Sequence, residues 1–467
     1  MTKLRNLTIG TLLLLLPACG VPVDHRPPEL TAPPAWDETS KQTSGPLEHN
    51  WWRAFNSTEL EQLITETLSG SPDIRIATER VLQAEIALRH SRASLFPVLN
   101  LDASTRTGRS ISSDDTTVTA ESSRVGLAIN YEIDLWGSNY ASWQGEQASF
   151  AATRHDYEAT RLSLIAGVAN AYWQILAVRD RLAIARQNLA IAERLFAIVA
   201  ARYRYGTATA LDVSRQRTAV MTQRDALLPL EMQERQNLRA LALLIGRIPQ
   251  GFEISGDGLD EVTVPQVPSV LPSELLLRRP DIAASEERLV AASANIAVAR
   301  AALLPLKLNL GLSSLLSSGD VFFAGLGSPA HSGDIIVALT RALFDGGRLH
   351  GQVATRQSEQ RVLVENWRKT VITALKEVDD ALATVHRSQR QERTQREIRD
   401  ETARSLELSE LRFKEGSDGL TTLLDAQRSL FAVEDQLIQQ KLSRLSATVD
   451  LYKALGGGWQ AEPQEFD

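Results

Sequence analysis

The chain has a single cysteine in 467 residues, so no disulfide can form within it. Methionine is also scarce, at three residues, which leaves few soft ligands for a metal. The seven histidines (His25, His49, His90, His155, His331, His350 and His386) never fall at the HExxH spacing. A phosphate-binding glycine loop and a nucleophile elbow are absent as well. With no such constellation, the chain is not read as an enzyme, and no cofactor is expected. Net charge is −7 and no basic tract stands out, which argues against nucleic acid. After residue 19 no apolar run is long enough for a transmembrane helix. If the mature chain crosses a bilayer, it must do so with β-strands.

The one cysteine stands at an informative place. Lys3 and Arg5 make a positive start, Ile9 to Leu16 a short apolar core, and Leu16-Pro17-Ala18-Cys19 ends it with small residues. Residues 1–18 read as an export signal. Cys19 resembles a lipobox cysteine, acylated to become the new N-terminus; the alternative is an ordinary signal with an incidental cysteine. Gly20, rather than Asp, follows it, which in bacterial lipoproteins implies sorting to the outer membrane. Residues 19–50 are Pro-rich and aperiodic and read as an extended tether.

The rest is one unit written twice. Pro72-Asp73-Ile74 recurs as Pro280-Asp281-Ile282, at an offset of 208. Arg80 matches Arg288, Arg92-Ala93 matches Arg300-Ala301, and Pro97 matches Pro305, at the same offset. Arg202-Tyr203 and Gly206 match Arg412-Phe413 and Gly416, now offset by 210, as do Ile245-Gly246 and Leu455-Gly456. The repeats are placed at 51–246 and 279–458, joined by a Gly- and Pro-containing link at 247–278 and followed by a tail at 459–467. Each predicts a helix (57–95, 279–303) ended by Pro97 or Pro305, then two strands around a polar loop. A very long helix follows (139–205, 347–414), then a glycine turn and a returning helix (209–245, 419–455). A stretch of some 67 residues would measure about 100 Å.

Val125 to Leu135 alternates strictly: odd positions are Val, Leu, Ile, Tyr, Ile and Leu, even ones Gly, Ala, Asn, Glu and Asp. Leu99, Leu101 and Ala103 alternate with Asn100, Asp102 and Ser104; Leu306, Leu308, Leu310 and Leu312 do so with Lys307, Asn309, Gly311 and Ser313. Such strands fit either a membrane barrel or a soluble sandwich with one buried face. The export signal and Cys19 favour the membrane. Trp136 and Phe344 fall at matching strand ends, where an aromatic girdle would lie. Arg341 shares a row with Ile335, Val337, Leu339 and Leu343 and is expected near the interface. Four strands cannot close a barrel, so the wall has to be shared between chains.

The long helices carry apolar stripes, illustrated by Leu182, Leu189, Leu195 and Ile198 among alanines. A coiled coil explains these equally well, but not the strands. Arg387 to Arg404 is almost entirely polar and reads as a solvated face. Pro229 should kink its helix.

Several motifs together resemble TolC/OprM-type outer-membrane factors. They are Trp51-Trp52-Arg53-Ala54-Phe55 with Leu60, Ser71-Pro72-Asp73-Ile74, Arg202-Tyr203-Arg204-Tyr205-Gly206, and Leu424-Asp425-Ala426-Gln427-Arg428-Ser429-Leu430. Leu451-Tyr452-Lys453-Ala454-Leu455-Gly456-Gly457-Gly458-Trp459 is similar to the lipoprotein, NodT-like branch. The resemblance implies a mainly α fold with a small β part. Three chains would build a twelve-stranded membrane β-barrel continuous with a periplasmic α-helical barrel, belted by an equatorial region. It also implies a homotrimer in outer-membrane lipid, a periplasmic adaptor, an inner-membrane pump of the resistance-nodulation-division class, and passive conduction of drugs or other small molecules. A type I protein-secretion channel or a heavy-metal efflux duct shares that architecture. By motif, Gly206-Thr207 and Gly416-Ser417 correspond to adaptor-contacting tips; a plain helix reversal also needs glycine. Asp425 and Arg428 correspond to gate positions, and Asp212 with Arg215 to a similar pair; the alternative is a surface ion pair worth about 0–1 kcal/mol. Thr421-Thr422 stands where some relatives are apolar, so no apolar constriction is expected there.

Overall fold

A computed structural model describes residues 33–36, 47–111, 117–260, 262–266, 272–304, 306–320, 323, 327–339 and 344–460. A buried 3-10 turn at Trp51–Phe55 leads into α1 (Thr58–Gly70) and α2 (Pro72–Ala93). Then come β1 (Val98–Ile111), β2 (Thr117–Ile133), α3 (Ser138–Arg204) and α4 (Ala210–Ile245). The second copy repeats the order: α5 (Pro272–Arg278), α6 (Pro280–Ala301), β3 (Leu306–Ser318), β4 (Ala330–Leu339), α7 (Arg348–Lys414) and α8 (Leu420–Ala454). Both α3 and α7 have 67 residues, a length of about 100 Å each.

Two expectations change. The first predicted helix is two, because Ser71 is extended (ψ 132°) ahead of Pro72, whose ring disfavours helical geometry in the preceding residue. The same break recurs at Arg279-Pro280, and α5 falls within the predicted link. The strands are longer than the apolar alternation suggests. Thr105 to Ile111 and Thr117 to Arg124, read as polar loop, pair residue for residue. Ladder hydrogen bonds come from the backbone, and β-branched threonines suit a strand whether or not a face is buried. Pro229 lies inside α4, as expected. Pro305 and Arg341, and the side chains of Val337 and Leu339, lie outside the described residues.

The chain divides into two compact units. The first holds the sheet, the end of α2, most of α6, and the starts of α3 and α7. Its helices meet through small side chains: Ala141, Ala148, Ala152, Ala294 and Ala297 are buried, and a Cβ on Gly145 would stand 3.3 Å from that of Ala294.

The second unit holds the remaining helices and the aromatic start. Trp51 stacks on Tyr452 at 5.0 Å, and Phe55 meets Trp173 at 5.4 Å. Hydrogen bonds give the helix order. Gln216 joins α4 to α3 through the Ala192 carbonyl, Arg181–Asp435 joins α3 to α8, and Arg444–Glu392 joins α8 to α7. In α3 the buried row is Val178, Leu182, Ala185, Asn188, Ala192, Leu195 and Val199. Ile198, expected in that stripe, is exposed, because the three-and-four spacing passes through the alanines instead.

Candidate functional site

Two regions are candidate sites. The first is the sheet, antiparallel in the order β1-β2-β3-β4. Its register aligns the alternating residues across all four strands. Leu99, Ile129 and Leu312 share one row; Tyr131, Leu310 and Ile335 share another, and Leu101 pairs with Leu127. The opposite face carries Asn100, Asp102, Asn130, Glu132, Lys307, Asn309, Ser313, Ser332 and Asp334, with Glu132–Lys307 at 3.2 Å and Ser313–Ser332 at 2.8 Å.

Yet the apolar face is not covered: Leu99 is 63% exposed, Leu101 72%, Leu312 57% and Ile335 74%. A sandwich would have buried these side chains, at about 1.5–3 kcal/mol each. From Val125 to Ile133 the band follows the strand for about 26 Å at ~3.3 Å per residue. Tilted at 35–45° it becomes a belt of about 20 Å, close to the apolar height of a membrane barrel. Phe344, beyond the sheet, is exposed. Gly126 sits where a side chain would overlap the Ser314 backbone, so glycine lets β2 and β3 close together. Among the described residues, β1 and β4 are paired on one side only.

The second region is the pair of helix reversals. Gly206 and Gly416 have φ of +77° and +76°, and a side chain at either would point into open space. The turns are built alike. Thr207 donates to the Arg202 carbonyl through N–H (2.9 Å) and Oγ1 (3.1 Å), and Ser417 donates to the Arg412 carbonyl through N–H and Oγ (3.0 Å each). Each closes the orphan carbonyls of a helix end. The fold brings the two ends together: the Arg202 guanidinium lies 4.7 Å from the centroid of the Phe413 ring. Behind the turns, Leu195, Leu406, Phe413 and Leu423 form a small buried cluster.

Asp425 and Arg428 stand on α8, 3.9 Å apart and about two-thirds exposed. Thr421, Thr422 and Ser429 share that exposed stripe, while Leu423 and Gln427 are buried opposite. The expected Asp212–Arg215 pair is not formed. Asp212 instead closes a capping box with Thr209, accepting from its N–H (3.0 Å) and Oγ1 (2.7 Å). These hydrogen bonds hold its carboxyl below the usual range, the Thr209 N–H foremost and the Arg215 charge a lesser cause. A Thr–x–x–Asp start is a helix-entry signal legible in the sequence. Cys19 lies outside the described residues.

Other residues that position the helices have no sequence signature. Arg179 bonds Glu234 and the carbonyls of Ile254 and Gly256, while Glu59 accepts from the N–H groups of Ser255 and Gly256. Together they pin the link onto α1 and α3. Tyr172 donates to Glu59 at 2.9 Å, and burial, foremost, pushes its phenol up to about 12. Arg279, buried at the α5–α6 break, bonds Asp281, Glu377 and the Ala454 carbonyl.

An uncovered apolar band and duplicated long helices are the parts of a membrane duct. The model of the outer membrane efflux protein family matches residues 63–247 and 271–457. The chain belongs to that family. It is 37% identical to the pyoverdine export outer membrane protein OpmQ of Pseudomonas aeruginosa, over 99% of this chain and 98% of that one. It is 32% identical to the outer membrane protein OprJ of the same species, over 96% and 94%. The solved outer-membrane channel OprN has the same fold, with a TM-score of 0.87 and 26% identity over 94% of this chain and 99% of that one. This chain is therefore an outer-membrane efflux channel subunit, with a mainly helical fold and a small β part.

Proposed function

We propose that three copies of this chain share one barrel wall and form the outer-membrane duct of a tripartite efflux system. The observation that carries this is a four-stranded sheet with an uncovered apolar face and two half-paired edges. In lipid each unpaired backbone group costs several kcal/mol, and three such sheets closing on one another remove every edge. The polar face, with Asn100, Asp102 and Asp334, then lines a water-filled passage.

In this reading residues 1–18 are removed, and acylated Cys19 with the 19–50 tether adds a second attachment beside the barrel. The two repeats, 51–246 and 279–458, each give two strands and a helix pair, with the 247–278 link in the belt between them. The tips at Gly206-Thr207 and Gly416-Ser417 dock a periplasmic adaptor, and that adaptor connects to an inner-membrane pump of the resistance-nodulation-division class. Asp425 and Arg428 gate the entrance by their charge. Transport through the chain is passive, and the cargo is a small organic molecule. Full-length similarity to a pyoverdine exporter favours a siderophore-like compound.

Single-channel recording of the purified assembly tests the duct and the gate together. Wild type should show low, charge-gated conductance, and Asp425→Ala with Arg428→Ala a higher one. Unchanged conductance removes the gate assignment; no channel at all removes the duct. Palmitate labelling, with Cys19→Ser as control, tests the anchor. Siderophore retained in the periplasm of a deletion strain tests the cargo.

A further inference from the structure

The Arg387 to Arg404 stretch is mostly exposed, as its polarity predicts, and part of it lines a cavity. The cavity holds about 390 Å³ and is lined by Gln389, Arg390, Glu392, Arg393 and Arg396 of α7 and Arg444 of α8. On α7 each step of three residues falls back about 60° around the helix. Arg390, Arg393 and Arg396 therefore spread over about 120° of one side of the helix. Arg444 adds a fourth guanidinium from the neighbouring helix.

The charge of Asp260 also acts on Arg396, and the one carboxylate in the cavity lining is Glu392, itself 3% exposed. It accepts from Arg396, and from Arg444 at 2.9 Å. One buried anion thus fixes two guanidiniums in place, since neither charge is satisfied without the other. Among the described residues, no carboxylate lies within 4 Å of Arg390 or Arg393. Four guanidiniums thus line the cavity against one carboxylate, with Asp260 acting on Arg396 from outside the lining, in a chain whose net charge is −7.

We propose that this cavity binds a small multivalent oxyanion, a phosphate or carboxylate compound, between α7 and α8. The chemistry is that of the guanidinium: a planar fork of N–H donors matches two oxygens of such a group at once. The volume falls in the range of small-ligand pockets. Bound there, the ion would tie α7 to α8 beside Gln395, which donates to the Val433 carbonyl, and strengthen the seam between them. Held on two long helices, the site is also more rigid than one built on loops.

Isothermal titration calorimetry on the full chain in detergent tests this, with pyrophosphate and with citrate as probes in a chloride buffer of fixed ionic strength. Arg390→Gln with Arg393→Gln removes two exposed, unpaired charges and leaves the Glu392 brace intact. Arg235→Gln with Arg239→Gln, on the exposed side of α4, removes the same charge elsewhere. The expected result is saturable binding by wild type and by the α4 control, at one site per chain, weakened at least tenfold in the α7 variant. Absence of saturable binding by wild type overturns the proposal. So does an equal loss in the α4 control, which would make the attraction one of net charge alone.

Discussion

The C-terminal glycines allow a test in which one backbone angle is held constant and the surroundings change. Gly416 and Gly456 have φ of +76° and +86°, so alanine at either carries the left-handed penalty of about 1–2 kcal/mol. Their neighbours differ. A Cβ at Gly416 meets nothing within 4 Å, whereas one at Gly456 would overlap the Arg278 carbonyl and crowd Arg279, at the break before α6. Forcing that backbone apart adds about 1–3 kcal/mol to the shared penalty. At about 2–4 °C per kcal/mol for domains of 150–250 residues, Gly456→Ala should unfold about 2–12 °C below Gly416→Ala. The assay is the apparent thermal midpoint in detergent by circular dichroism, both variants scanned at one rate. Gly246→Ala belongs with Gly456→Ala: its Cβ would stand 2.8 Å from the Gly70 carbonyl and from Pro72, the equivalent contact in the first repeat. Equal midpoints for Gly416→Ala and Gly456→Ala would refute the reasoning, because they would mean the helix-end contact yields without cost.

Arg279→Ala strands two carboxylates and the Ala454 carbonyl and should cost about 3–5 kcal/mol, more than Arg279→Lys, by chemical denaturation. Tyr172 is held protonated in the fold, so its contribution is complete below pH 10 and is lost as pH rises toward about 12. In Tyr172→Phe that alkaline loss should disappear, along with the latest phenolate step in an ultraviolet titration. Thr209→Ala removes the cap on α4 at about 1 kcal/mol, read by helix content and midpoint. Asp212, whose carboxyl is held low by Thr209, contributes above the ordinary carboxylate range, and that contribution is lost as pH falls through its lowered value; Asp212→Asn should flatten this acid-side decline.

Much of this protein was legible without coordinates, because the signals were periodic or repeated. Period-two alternation named the faces of β2 before any register was known, and a face keeps its character whichever strand lies beside it. The matched Pro-Asp-Ile and Arg-aromatic motifs gave the duplication, since two copies of one unit keep the same turn chemistry. What escaped was set by contacts distant in sequence. That nothing covers Leu99 and Ile335 shows only in the assembled sheet. The pins Glu59 and Arg179 hold a link that begins some 70 residues or more away. Gly456, Gly457 and Gly458 read as a motif, but only the fold shows why: side chains there would overlap Arg278, Leu162 and Glu48. The Arg390 cluster reads as a solvated run and is exposed, but a helix pattern cannot reveal what Arg444 on another helix brings to it. Composition and periodicity determined the elements and their faces, which are local properties of the chain. Tertiary structure decided which charges share a partner and which glycines have no room, because both depend on segments the sequence keeps far apart.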